Sequence, residues 1–261
     1  MNKIVTKVQP TLIQQWMNTE KKQRKKKCCQ CTPNQKTCKL PRKYPAILAI
    51  SKPGAETGFV NCIIGKVGSG KTYSTIELLT DIRGWRGDYD VIYIFSSTYL
   101  IQPIWKKVSG NLKVFLKYDS QAIETLMEEQ KDIIENGGER SVAILFDDLG
   151  TSVLKNKDEN AQENLEKLVI SCRHLRISVL WLGQHFSQVP TYVREQCKSF
   201  ISFGSMSHRE LKKFHSECGV VSMKEFELLY NSAVQKPYGK FICTSVKGQT
   251  SYYSNYEQKI L

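Results

Sequence analysis

The chain has 261 residues, 41% of them hydrophobic and 24% charged, which excludes a largely disordered polypeptide and suffices for one good-sized domain with an appendage. Its net charge of +13 is unevenly spread: residues 1–43 carry twelve bases against one acid (Glu20), whereas the other 218 residues carry 26 bases and 24 acids. No uncharged apolar run approaches the ~18–20 residues a membrane span requires, and the N-terminal segment lacks the shape of a signal peptide.

A basic, cysteine-rich arm is expected over residues 1–45 and a folded body over 46–261. Within the arm a short helix is expected near Leu12–Met17, until the run Lys21-Lys22-Gln23-Arg24-Lys25-Lys26-Lys27 breaks any amphipathic pattern. Such a segment suits a polyanion, nucleic acid or an anionic membrane surface, and equally a solubilising tail or a nuclear-import signal. Four of the nine cysteines, Cys28, Cys29, Cys31 and Cys38, crowd into the arm. They supply enough ligands for zinc, but a single C-x-x-C pair without a second fits that metal poorly. The other five, Cys62, Cys172, Cys197, Cys218 and Cys243, sit singly in apolar segments, as reduced intracellular thiols do. Pro41, Pro45, Pro53 and two glycines place the arm–body boundary near residue 45.

Beyond it, apolar runs alternate with helical patterns. Phe59–Ile64 is the first expected strand, followed by a glycine-rich turn and a helix through Ile76, Leu79 and Ile82. Val91–Phe95 is the second strand. A helix from about Ser120 carries Ile123, Leu126, Met127, Ile133 and Ile134 and stops at Gly137-Gly138. Val142–Phe146 is the third strand, and a helix from about Asn160 shows Leu165, Leu168, Val169 and Cys172 on one face. Ser178–Gly183 and Phe200–Phe203 are further strands. Helices at Leu211–Cys218 and Met223–Val234 and a last strand at Phe241–Val246 complete the body. Continuous apolar strands separated by helices predict an α/β fold with a mostly parallel sheet covered on both faces.

The segment Gly65-Lys66-Val67-Gly68-Ser69-Gly70-Lys71-Thr72 fits G-x-x-x-x-G-K-[ST] between a strand and a helix. Glycines let backbone N–H groups close around phosphate, and the helix N-terminus adds a favourable dipole. Lys71 is placed to reach the β- and γ-phosphates of ATP and Thr72 to ligate Mg²⁺. The third strand ends in Asp147-Asp148, at the sheet edge where ligands bind. Asp147 suits metal binding and Asp148 the polarisation of water, and the second acid points to hydrolysis rather than transfer to a metabolite. Gln184, after the next strand, stands where it could sense the γ-phosphate or orient water. Arg173 and Arg176 precede that strand on the opposite edge, from which a guanidinium does not easily reach its own nucleotide and could meet a neighbouring subunit's; either also suits a surface helix end, where cations favour the dipole. His208, His215 and Cys218 share one helical segment but form no recognisable catalytic set.

The order of P-loop, strand with Asp147-Asp148, then Arg173-His174 and Ile177-Ser178 leading to a strand that ends in Gln184 resembles the DNA-packaging ATPases of large double-stranded DNA viruses. It is similar to the poxvirus-type branch of the FtsK–HerA superfamily, found also in virophages and Polinton-like elements, over roughly residues 58–205. The resemblance implies a P-loop NTPase of the additional-strand type, a homo-oligomeric ring, and ATP-driven translocation of duplex DNA into a preformed capsid through a capsid or portal component. It assigns Lys71 and Thr72 to Walker A, Asp147 and Asp148 to Walker B, Gln184 to the motif after it, and Arg173 to a finger acting in trans. Some packaging motors carry a cationic finger in the P-loop, which keeps Lys66 as an alternative to Arg173. The implied setting is the host cell's viral assembly site, nuclear or cytoplasmic, or the virion. The competing readings are a nucleotide-gated DNA-binding protein and a helicase-like P-loop ATPase outside packaging.

Overall fold

The apolar runs are strands of one sheet. In chain order its members are β1 (Val60–Gly65), β2 (Val91–Ser96), β3 (Leu112–Phe115), β4 (Val142–Asp147), β5 (Ile177–Gly183), β6 (Cys197–Phe203), β7 (Lys240–Val246), β8 (Gln249–Ser254) and β9 (Gln258–Lys259). The helices are α1 (Lys71–Thr80), α2 (Ser120–Glu135), α3 (Glu159–Ser171), α4 (Thr191–Glu195), α5 (His208–Cys218) and α6 (Met223–Val234). The computed structural model describes residues 58–81, 84–149, 159–204, 206–246, 248–256 and 258–261. The expected arm helix, the boundary near residue 45, the group Cys28, Cys29, Cys31 and Cys38, and Ile82 lie outside the described residues.

Lateral order in the sheet is β3-β2-β4-β5-β1-β6-β7-β8-β9. The pairs from β3 through β6 are parallel, and β6–β7, β7–β8 and β8–β9 are antiparallel. Strand β5 thus lies between the strand that feeds the P-loop and the strand that ends in Asp147, which is the additional-strand arrangement. Every residue of β1, β2, β4 and β5 is buried, and that is why they read as unbroken apolar runs.

Alternate residues of each strand serve two cores. In β4, Val142, Ile144 and Phe146 face the core closed by α2, α3, α5 and α6, while Ala143 and Leu145 face the one closed by α1. Leu165, Leu168 and Val169 of α3 enter the first core with Ile123 and Leu126 of α2. Phe214 of α5 stands edge-on to Phe226, Tyr230 and Phe241 at centroid distances of 5.6, 6.5 and 6.1 Å, the geometry aromatic quadrupoles favour. This cluster fixes α5 and α6 against β7.

The described cysteines are free thiols, but two are not as isolated as their sequence positions suggest. Cys62 and Cys197 bring their Sγ atoms within 2.9 Å across β1 and β6. Burial, reinforced by that neighbour, pushes the Cys197 thiol well above its ordinary value, so it stays protonated and unreactive. His215 and Cys218 are engaged structurally: the ring Nε2 lies 2.7 Å from the Val221 carbonyl and the thiol donates to the Phe214 carbonyl at 3.1 Å.

Candidate active site

The parallel strands end together, and their registers place four of them side by side at the carboxyl edge. Ser96 of β2 is opposite Asp147 of β4, Asp147 is opposite Leu182 of β5, and Gly183 is opposite Ile64 of β1. Everything that follows these strands therefore converges on one rim. The P-loop leaves β1 at Gly65, where an added Cβ would stand 2.4 Å from Ser69 Oγ and 2.9 Å from Phe203 Cβ. The loop turns back through Gly68 (φ 76°) and Gly70 (φ 91°), left-handed conformations that glycine takes at little cost.

Helix α1 begins without a cap. Gly70 at its N-cap offers no side-chain acceptor, and no acid occupies the first turn. Elsewhere Asp119 caps α2, Ser207 caps α5 with Glu210 in the first turn, and Ser222 and Glu225 form a capping box on α6. The free N–H groups of α1 and its positive dipole end are thus left for an anion.

The charged groups lie beside that opening. Lys71 is only 5% exposed; its Nζ donates to Asp148 Oδ2 at 3.4 Å and lies 3.3 Å from Oδ1. Asp147 is fully buried, and its carboxylate accepts from Thr72 Oγ1 at 3.2 Å, Ser96 Oγ at 2.9 Å and Thr98 Oγ1 at 3.3 Å. Gln102 Nε2 donates in turn to Thr98 Oγ1 at 2.9 Å. Burial and the neighbouring Asp148 charge push the Asp147 carboxyl above its ordinary value, while Ser96, Lys71 and Thr72 pull it back. Asp148 has a φ of 54°, a conformation aspartate tolerates better than most residues, and its N–H donates to the Leu182 carbonyl at 3.1 Å. This ties the two strand ends together and turns the second carboxylate toward Lys71.

The chemistry of this donor set suits a hard divalent cation held beside a triphosphate. Thr72 and Asp147 supply oxygens, as Mg²⁺ prefers, and one buried oxygen at the rim, Ser69 Oγ, has no hydrogen-bond partner. Gln184 follows β5, between the strands bearing the P-loop and Asp147, and is half-buried. Lys66 and Val67 are exposed on the outer face of the P-loop.

Arg173 is elsewhere. It is exposed in the turn between α3 and β5, at the amino edge. Its neighbour Arg176 has a φ of 53° and its Nη1 donates to the Gly138 carbonyl at 3.2 Å, which commits that guanidinium to the fold. Ser96 and Thr98 escaped the reading of the sequence. Their only signal is the change from apolar to hydroxyl residues, Ser96-Ser97-Thr98, where β2 meets the ligand edge. Among the described residues no cluster of His, Cys, Asp and Glu has the form of a metal site built from protein alone, and no helix is long and apolar enough to cross a membrane.

The family model described as poxvirus A32 protein matches residues 55–236. Among solved structures, the genome packaging NTPase B204 from Sulfolobus turreted icosahedral virus 2 with AMPPCP aligns at TM-score 0.52 and 15% identity, covering 81% of this chain and 100% of that one. Its complex with ATP-γS aligns at TM-score 0.51 and 15% identity, covering 79% and 100%. B204, the DNA-packaging ATPase from Sulfolobus Turreted Icosahedral Virus, aligns at TM-score 0.51 and 15% identity, covering 76% and 97%. At these identities the likeness establishes the fold. Among curated protein sequences none matches the chain.

Proposed function

The chain belongs to the poxvirus A32 protein family, and from that premise we propose how its rim of residues works as a DNA-packaging ATPase. The chain is an ATPase. The observation that carries the reading is the uncapped N-terminus of α1 with Lys71, paired to Asp148, directly beside it. An arriving triphosphate offers Lys71 a denser negative charge than one carboxylate. The lysine turns to the β- and γ-phosphates, and Asp148 is released from its partner. Nucleotide binding thereby frees the group that accepts the proton of the attacking water. In the free protein the same acid is held by Lys71, so the base is available only when the site is filled.

Thr72 and Asp147 would hold Mg²⁺, which when bound neutralises charge on the transferring phosphoryl group. Ser96 and Thr98 fix the Asp147 carboxylate by donating to its Oδ2. Gln184, on the strand between the two motifs, orients the water or senses the γ-phosphate. Arg173 acts on the nucleotide of an adjacent subunit in a homo-oligomeric ring. The substrate track is double-stranded DNA; the twelve bases of residues 1–43 add phosphate contacts, and a capsid or portal component receives the ring at an intracellular assembly site.

The role assignment is tested by isosteric removal of each acid. Asp148→Asn is expected to bind Mg-ATP normally and lose ~10²–10⁴-fold in turnover, the usual worth of a positioned acid or base. Asp147→Asn is expected to lose its response to Mg²⁺ concentration first, in both nucleotide affinity and turnover. Exchange of the two phenotypes would overturn the assignment.

A further inference from the structure

Among the described residues, two exposed Phe, Tyr or Trp side chains stand out, Tyr73 at 57% and Tyr238 at 67%, and both border the P-loop. Tyr73 lies two residues after Lys71, and the Lys107 ammonium sits over its ring, 5.1 Å from the centroid. Tyr238 belongs to the connection between α6 and β7. Its ring rests against Gly70: a Cβ added there would stand 3.1 Å from Tyr238 Cδ1. The outer face of that ring is open, and among the described residues no ring, cation or hydrogen bond engages it.

Its backbone is unusual. Gly239 N–H donates to the Lys236 carbonyl at 2.8 Å, closing a four-residue turn with Pro237 at the second position and Tyr238, φ 59°, at the third. This is the pattern of a type II turn, whose third position ordinarily takes glycine or asparagine because other side chains are strained there. Here the glycine comes one residue later, at 239, where an added Cβ would meet the Ala233 and Lys236 carbonyl oxygens at 2.6 and 2.9 Å. A bulky aromatic thus occupies the strained position, at the lip of the phosphate loop. Strain of this kind concentrates where a side chain must be presented to a ligand.

We infer that Tyr238 is the platform on which the base of the bound nucleotide stacks. The inference rests on the P-loop binding a nucleoside triphosphate. With the phosphates on the N-terminus of α1, the nucleoside projects beyond the loop, and the exposed Tyr238 ring borders the loop at Gly70. Because every base has a π-face, such a platform adds affinity without reading the base's edge. Adenine and guanine nucleotides should therefore gain from it alike.

The test uses the full chain and calorimetric titration with the β,γ-methylene analogues of ATP and GTP and with inorganic tripolyphosphate. Tyr238→Gly removes the ring and suits the turn; Tyr238→Phe keeps the ring. Tyr238→Gly is expected to weaken both nucleotides by about tenfold, the order of one stacking contact, and to leave tripolyphosphate affinity unchanged, while Tyr238→Phe binds as the parent does. Equal weakening of nucleotide and tripolyphosphate, no weakening of either, or a Tyr238→Phe defect as large as that of Tyr238→Gly would each overturn the inference. A parent chain that binds neither nucleotide nor tripolyphosphate would instead overturn the P-loop reading beneath it.

Discussion

Lys71→Ala is expected to lower steady-state ATP hydrolysis by ~10²–10³-fold or more, the cost of removing one preorganised charge from a reacting phosphoryl group. The loss follows from where Lys71 sits, at the first position of α1 and nine-tenths buried beside the open N–H groups. Circular dichroism should remain native, because the side chain fills no part of either apolar core. The unfolding midpoint should nevertheless fall. Lys71 is the cation that faces Asp148 and also draws down the Asp147 carboxyl, and its removal leaves two neighbouring acids with less compensation. Turnover at the parent rate would remove the P-loop from the mechanism.

The second large effect concerns Arg173. A finger supplied in trans is worth ~10³–10⁵ in rate, so Arg173→Ala should bind ATP and turn it over that much more slowly. The seven buried residues of β5 separate its turn from the rim, and a strand of five to six residues already spans ~17–20 Å, beyond an arginine's reach within one subunit. Mixing Arg173→Ala with Lys71→Ala chains should restore some activity, because some interfaces then pair an intact P-loop with an intact arginine. The same arrangement requires specific activity to fall on dilution below the assembly concentration. No rescue on mixing, together with concentration-independent activity, would move the finger to Lys66. Arg176 does not compete, since its guanidinium holds the Gly138 carbonyl.

The sheet centre was legible because burial on both faces leaves a plain mark: β1, β2, β4 and β5 are continuous apolar runs, and α5 and α6 lie where their helical pattern predicted. The margins were not. Strand β3 is a half-exposed edge, Leu112-Lys113-Val114-Phe115, too short and mixed to show a run. Strand β8, Gln249–Ser254, is largely polar and is stabilised by Tyr252 packing on Phe226 and Phe241 at 5.6 and 5.3 Å, contacts made only in the folded chain. The expectation that Phe241–Val246 is the last strand fails for that reason, and β8 and β9 follow it.

At the site, Lys71, Thr72, Asp147 and Asp148 come together as their motifs imply. Periodicity could not have placed β5 between β1 and β4; that expectation came from the resemblance, and the sheet order agrees with it. Thr98 reaches the rim just past β2, marked in the sequence only by the change to hydroxyl residues, and Tyr238 reaches it from the α6–β7 connection, which carries no nucleotide motif.

ATP hydrolysis at this rim is expected to drive movement along duplex DNA. This is tested most directly with the full chain, by measuring ATPase activity with and without long linear duplex in the same reaction that follows displacement of a third strand from the duplex end. Turnover stimulated by duplex and ATP-dependent displacement are the expected results, both lost in Lys71→Ala. Nucleotide-dependent retention of DNA with neither turnover nor displacement would contradict that expectation.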